Sequence, residues 1–99
     1  MNLETRSRKI ADIMGEAVVH STLKKMAQIE MGKCLRKMEH LKKKLAPFEK
    51  RFATDSRDAW TAYQNGKLGD DGDIMEWMML FENLMALQKQ YERIREVGS

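Results

Sequence analysis

The chain has little of what breaks helices or staples small folds. It contains one proline, one cysteine and six glycines in 99 residues. A lone thiol, Cys34, cannot close an intramolecular disulfide, so no covalent framework holds the fold. A single Pro47 leaves nearly all of the sequence free to be helical. No apolar run approaches the roughly 20 residues needed to span a bilayer. The start, Met-Asn-Leu-Glu-Thr-Arg-Ser-Arg-Lys, lacks the apolar core of a signal peptide, and a soluble cytoplasmic protein is expected. Nowhere do apolar and polar residues alternate as in a half-buried strand.

What is present favours helix. Leu, Met, Ala, Glu, Lys, Arg and Gln dominate, and 42% apolar content beside 33% charge suits one packed domain over residues 1–99. Nine methionines are many for this length; Met fills irregular gaps in cores and also serves adaptable binding surfaces. Met31, Cys34, Met38, Leu41, Leu45, Phe48 and Phe52 are spaced 3, 4, 3, 4, 3, 4, a heptad stripe. Upstream, Ile10, Ile13, Ala17, Leu23 and Ala27 continue an apolar face less regularly, with Lys24 at a position the repeat would fill with an apolar residue. The pattern predicts one long helix over about 5–46, with a bend allowed near Gly15 and an end or kink at Pro47. Thr54, Asp55 and Ser56 can each cap a short helix over about 56–64 that displays Ala59, Trp60 and Tyr63. A final helix over about 73–95 carries Ile74, Trp77, Met78, Phe81, Leu84, Met85, Leu87, Tyr91 and Ile94, a face broader than a two-stranded seam needs. The expected fold is all-α: a long N-terminal helix against a C-terminal helix, joined by a short one.

Between the last two helices lies Asn65-Gly-Lys-Leu-Gly-Asp-Asp-Gly-Asp-Ile-Met-Glu-Trp77. Gly66 stands where a helix should stop, because glycine enters the left-handed region without steric cost. Asp73 with Glu76 three residues later has the spacing of a capping box, which places the start of the last helix near Asp73. Leu68 can tuck into the core from the loop.

The two long helices are unequal. About 40 residues make a helix of roughly 60 Å, while about 24 residues span only roughly 36 Å. A hairpin would leave Ile10, Ile13, Val18, Val19, Leu23 and Met26 bare, and a bare stripe of that size marks a protein interface. A coiled-coil-like homodimer covers it; a break near Gly15 that folds the first segment back is the alternative.

Catalytic chemistry finds no support. Asp70, Asp71, Asp73 and Glu76 lack the alternate ligand spacing of a calcium loop, and helix capping explains them. Cys34 and His40 fall on different helix faces, and Glu16 with His20 is an ordinary i, i+4 pair. No Glu-x-x-His occurs, no nucleophile elbow, and Gly-Lys-Leu-Gly is no phosphate loop. The chain is expected to be no enzyme and to need no cofactor or metal. The basic residues are better ordered. Residues 1–52 hold 13 Lys/Arg against 6 Asp/Glu, whereas residues 53–99 hold 5 against 9. Arg36-Lys37, Lys43-Lys44 and Lys50-Arg51 repeat every seven residues, about 10.5 Å along a helix. Such a ridge is either a solvated or ion-paired outer face or a track for nucleic-acid phosphates. No aromatic residue interleaves with it to stack bases.

At Gly66, Leu68, Gly69, Asp70, Asp71, Asp73, Glu76 and Trp77 the chain resembles a family of small helical proteins from bacteria and archaea. They share a short helix, then Gly-x-Leu-Gly-Asp-Asp-x-Asp-x-x-Glu-Trp, then an amphipathic helix. The likeness covers residues 54–94; the strongly basic, Met-rich first helix departs from the more acidic helix expected there. Members are typically encoded beside a toxin-like partner and regarded as antitoxins. The resemblance implies a non-enzymatic module that binds and neutralises a partner protein, with Asp70, Asp71, Asp73, Glu76 and Trp77 at or supporting the partner surface. A helical nucleic-acid-binding protein using Arg36, Lys37, Lys43, Lys44, Lys50 and Arg51 is the alternative.

Overall fold

Fifty residues of good helix formers make α1, Leu3–Phe52, in a computed structural model that describes residues 3–98. At 1.5 Å per residue such a helix measures about 75 Å, and the molecule extends 74 × 24 × 17 Å. One helix therefore sets its whole length. α2 (Ser56–Gln64) and α3 (Gly72–Gly98) follow, and α3 runs back antiparallel along the second half of α1. No strand occurs among the described residues. The all-α architecture matches the periodicity.

The expected long helix is continuous, and only its end differs from expectation. α1 passes unbroken through Gly15 and Gly32, so the first segment does not fold back. Each glycine costs about 1 kcal/mol relative to alanine in a helix interior, and the helix carries on through both. α1 also continues more than one turn beyond Pro47, where the sequence suggested an end. Proline removes one hydrogen bond, and the turn that follows is held from outside. Phe48 and Phe52 stack on Trp77 with ring centroids 6.0 and 5.2 Å away. Pro47 itself points to solvent.

α1 stops at Phe52 because Ala53 turns left-handed, with φ 52°. The Thr54 N–H then reaches back to the Glu49 carbonyl at 3.2 Å, the long bond of a Schellman cap. Alanine in this region is strained by its Cβ. Ala53→Gly should therefore stabilise the protein by about 0.5–1 kcal/mol after the entropy of the freer unfolded glycine is counted. Urea unfolding checks it: the midpoint should rise with an unchanged slope.

Asp55 caps α2 by accepting from the Asp58 N–H at 2.8 Å. At its other end Gly66, φ +69°, completes a second Schellman cap: the Lys67 N–H donates to the Ala62 carbonyl at 2.8 Å and the Gly66 N–H to the Tyr63 carbonyl at 3.0 Å.

The cap of α3 is not the expected one. Asp71, not Asp73, accepts from the Ile74 N–H at 2.9 Å. The helix starts two residues earlier than the Asp73–Glu76 spacing suggested, because Asp73 is drawn across to Arg51 at 2.6 Å. Both partners of that ion pair are more than half exposed, which limits its worth. Asp71→Ala should cost about 0.5–2 kcal/mol, and Asp73→Ala under about 1 kcal/mol. Thermal unfolding ranks them; the reverse order would return the cap to Asp73.

The core joins Met38 and Leu45 of α1, Ala59 of α2, and Ile74, Trp77, Met78, Phe81 and Leu84 of α3, with Leu68 packed against it from the loop. Trp77 is fully buried. Its Nε1–H donates to Ser56 Oγ at 2.9 Å, and the Ser56 hydroxyl and N–H both donate to Glu49 Oε2 at 2.9 Å. One chain of hydrogen bonds thus links all three helices at the closed end of the molecule, and no buried side-chain polar atom among the described residues lacks a partner.

Candidate partner-binding surfaces

α3 ends beside Ala27: a Cβ added to Gly98 would lie 3.1 Å from that of Ala27. Residues 8–26 of α1 are all exposed. The overhang carries Ile10, Ile13, Met14, Val18, Val19, Leu23 and Met26, and Ile29 beyond Ala27 is bare as well. Val18 is 66% exposed, more than a side chain of that hydrophobicity usually is in a monomer when its neighbours are bare too. The length mismatch read from the sequence is present in the fold, and larger than expected.

Helix geometry shows how the overhang is organised. At about 100° per residue, Ala27, Cys34, Met38 and Leu45 lie on the face of α1 that meets α3. Carried toward the N-terminus, that face becomes mixed: Lys9, Glu16 and His20 with Ile13 and Leu23 among them, and Asp12 and Lys24 at its edges. The opposite, outer face reads Ala11, Met14, Val18, Thr22, Lys25 and Ile29, then Lys33, Arg36, His40, Lys43, Pro47 and Lys50. The polarity of α1 therefore inverts where α3 ends. Toward α3 the helix is apolar in its second half; away from α3 it is apolar in its first half.

The basic ridge stands on that outer face. Arg36, Lys37, Lys43, Lys44 and Lys50 are exposed and form no ion pair among the described residues. Arg51 departs from the pattern, bound to Asp73 and lying over the Phe52 ring at 5.0 Å. Between the ridge and α3 an open groove of about 580 Å³ is lined by Arg36, Lys37, His40, Leu41, Leu87 and Gln90 among others.

The acidic turn divides by role. Asp70 and Glu76 are exposed, Asp71 caps, and Asp73 pairs with Arg51. Trp77, expected at or behind the partner surface, belongs to no surface: its indole is enclosed by Phe48, Phe52 and Ser56. Its position on the buried edge of α3, three residues after Ile74, puts it in the core stripe rather than on the acidic face. Cys34 is buried in the seam between α1 and α3. No group of three or more His, Cys, Asp or Glu side chains capable of holding a metal occurs among the described residues, and no described helix is long and apolar enough to cross a membrane.

The sequence did not signal the Ser56–Glu49 link; seven residues and a helix end separate the two, so no periodicity connects them. The inversion of α1 was readable in part, since Lys24 already broke the heptad at the point where the faces exchange. No protein-family model, curated protein or solved structure matches the chain.

Proposed function

We propose that this chain is a non-enzymatic interaction module, antitoxin-like, that binds and neutralises a partner protein in the cytoplasm and itself works as a homodimer. The observation that carries this reading is the overhang: a rigid helix holding a row of bare aliphatic and methionine side chains beyond the end of its only long neighbour. Such a surface stabilises nothing in the monomer, and burying each of these side chains is worth about 1.5–3 kcal/mol when complete. The resemblance of the Gly66–Trp77 turn to antitoxin-like proteins supports the same class. In this reading Asp70 and Glu76 offer charge to a basic partner, while Asp71, Asp73 and Trp77 build the turn that presents them.

The test is expression of the tagged chain in its native cell. A stoichiometric partner that arrests growth when produced alone, and is relieved by this chain, supports the reading. Recovery of nothing but further copies of the chain would overturn it.

The exposed ridge favours a second reading, nucleic-acid binding. Five unpaired cations on one face would release counterions on binding phosphates, so affinity would fall steeply with salt. Lys43→Glu with Lys44→Glu should then abolish a gel shift; a shift unaffected by the pair removes this reading.

A further inference from the structure

The outer apolar stripe of α1 has a shape that selects its occupant. Ala11, Met14, Val18, Thr22, Met26 and Ile29 are spaced 3, 4, 4, 4, 3, which keeps to the 3.6-residue period and lies straight along the axis for five turns. This stripe is no extension of the packing against α3, which uses the other face. Resting on the interaction-module reading above, we infer that a second copy of the chain lies antiparallel on this stripe, with the two-fold axis near position 20.

Three features lead to this arrangement. The first is self-complementarity. About position 20, Ala11 faces the partner copy's Ile29, Met14 its Met26 and Val18 its Thr22. The smallest residue thus meets a large one, and each pair occurs twice, as an isologous interface demands. Gly15, with nothing within 4 Å of the place a Cβ would take, stands opposite Lys25, a cation near the centre of this face, and leaves room for its stem.

The second is charge. A parallel dimer through the outer face would set Arg36, Lys37, Lys43, Lys44 and Lys50 beside their own copies at the usual helix separation of about 8–10 Å. That is within a Debye length, so the repulsion would be felt. The antiparallel dimer sends the two ridges to opposite ends, with centres about 70 Å apart, where salt screens them fully.

The third is area. The apolar side chains of the stripe, Met14, Val18, Met26 and Ile29, are 56–66% exposed and offer on the order of 400 Å² per copy, which places the contact at the low end of specific interfaces. Antiparallel overlap covers the outer face of both overhangs and stops near Ala27, where each α3 ends. Each α3 remains on the far side of its own α1 and does not obstruct the second copy.

The experiment uses the full chain with Cys34→Ala, labelled through Lys37→Cys at an exposed site. Paired-label distance measurement should give about 50 Å for the antiparallel dimer and under about 20 Å for a parallel one. Sedimentation equilibrium of the unmodified chain should give twice its 11.6 kDa at micromolar concentration. Val18→Asp, which puts a carboxylate into the interface twice, should weaken association by about a hundredfold or more. Because Val18 touches nothing in the monomer core, Trp77 fluorescence and helix content should be unchanged. A short label distance, a monomeric chain or a Val18→Asp variant that still dimerises would each overturn the arrangement. A monomer that still binds a toxin-like partner would remove the dimer and leave only the partner-binding part of the proposed function standing. An antiparallel dimer that binds no other protein would do the reverse.

Discussion

Trp77→Ala should destabilise the protein by about 3–5 kcal/mol, as loss of a fully buried large aromatic side chain does. The indole, together with Ser56, joins all three helices. It stacks on Phe48 and Phe52 of α1 and donates its N–H to Ser56 at the start of α2. Removing it opens a cavity and also leaves Ser56 Oγ without its donor. Domains of this size hold only about 5–15 kcal/mol in total, and each kcal/mol moves the melting temperature by about 4–8 °C. A fall of about 15–30 °C is therefore expected by circular dichroism. Trp77→Phe separates the terms: it keeps much of the ring stack but not the hydrogen bond, and should lose clearly less. The last turn of α1, after Pro47, depends on the same stack and should fray in Trp77→Ala, with faster amide exchange at residues 48–52. A melting temperature close to wild type would mean that the indole does not hold the three helices together.

The same residue shows what the sequence conveyed and what it did not. Heptad spacing from Met31 to Phe52 and the broad stripe from Ile74 onward were sufficient to read two unequal helices in contact, because burial on a helix imposes a period that composition cannot hide. Gly66 was legible for a similar reason: a left-handed cap has few occupants. Ala53, in the same conformation at the end of α1, was not, since alanine gives no sign of the left-handed region. Pro47 misled because local propensity argues for a break, while the stacking that carries the helix past it comes from Trp77, thirty residues away. Asp73 misled because two aspartates within reach of one helix start are equivalent to a spacing rule, and only the position of Arg51 separates them.

The candidate surface was legible as a quantity and not as a place. Comparing helix lengths predicted bare aliphatic residues in the first half of α1. Which side they occupy follows from where α3 ends, since the heptad face of α1 is core on one side of Ala27 and a mixed row of charged residues with Ile13 and Leu23 on the other. Under the proposed function folding and docking are kept apart: substitutions at the closed end, where α2 and the start of α3 pack on α1, should act on stability, and substitutions in the overhang on association. The second large stability effect therefore also lies at the closed end.

Gly66→Val should cost about 2–3 kcal/mol. The position has φ +69°, where a β-branched side chain is a steric outlier. Space is not the obstacle, since nothing lies within 4 Å of where its Cβ would stand; the clash is between the side chain and its own backbone. Relieving it requires φ to become negative, and that breaks both bonds of the cap, Lys67 N–H to the Ala62 carbonyl and Gly66 N–H to the Tyr63 carbonyl. The path of the chain to Leu68 and on to the Asp71 cap changes with it. Gly66→Asn, which tolerates the left-handed region, should retain most of the stability, and Gly72→Ala, a helical position with open space around it, should retain all of it or gain. Denaturant unfolding of the three variants tests the order Val below Asn below Ala. Equal stability of Gly66→Val and Gly66→Asn would mean that the turn does not depend on a left-handed residue at position 66.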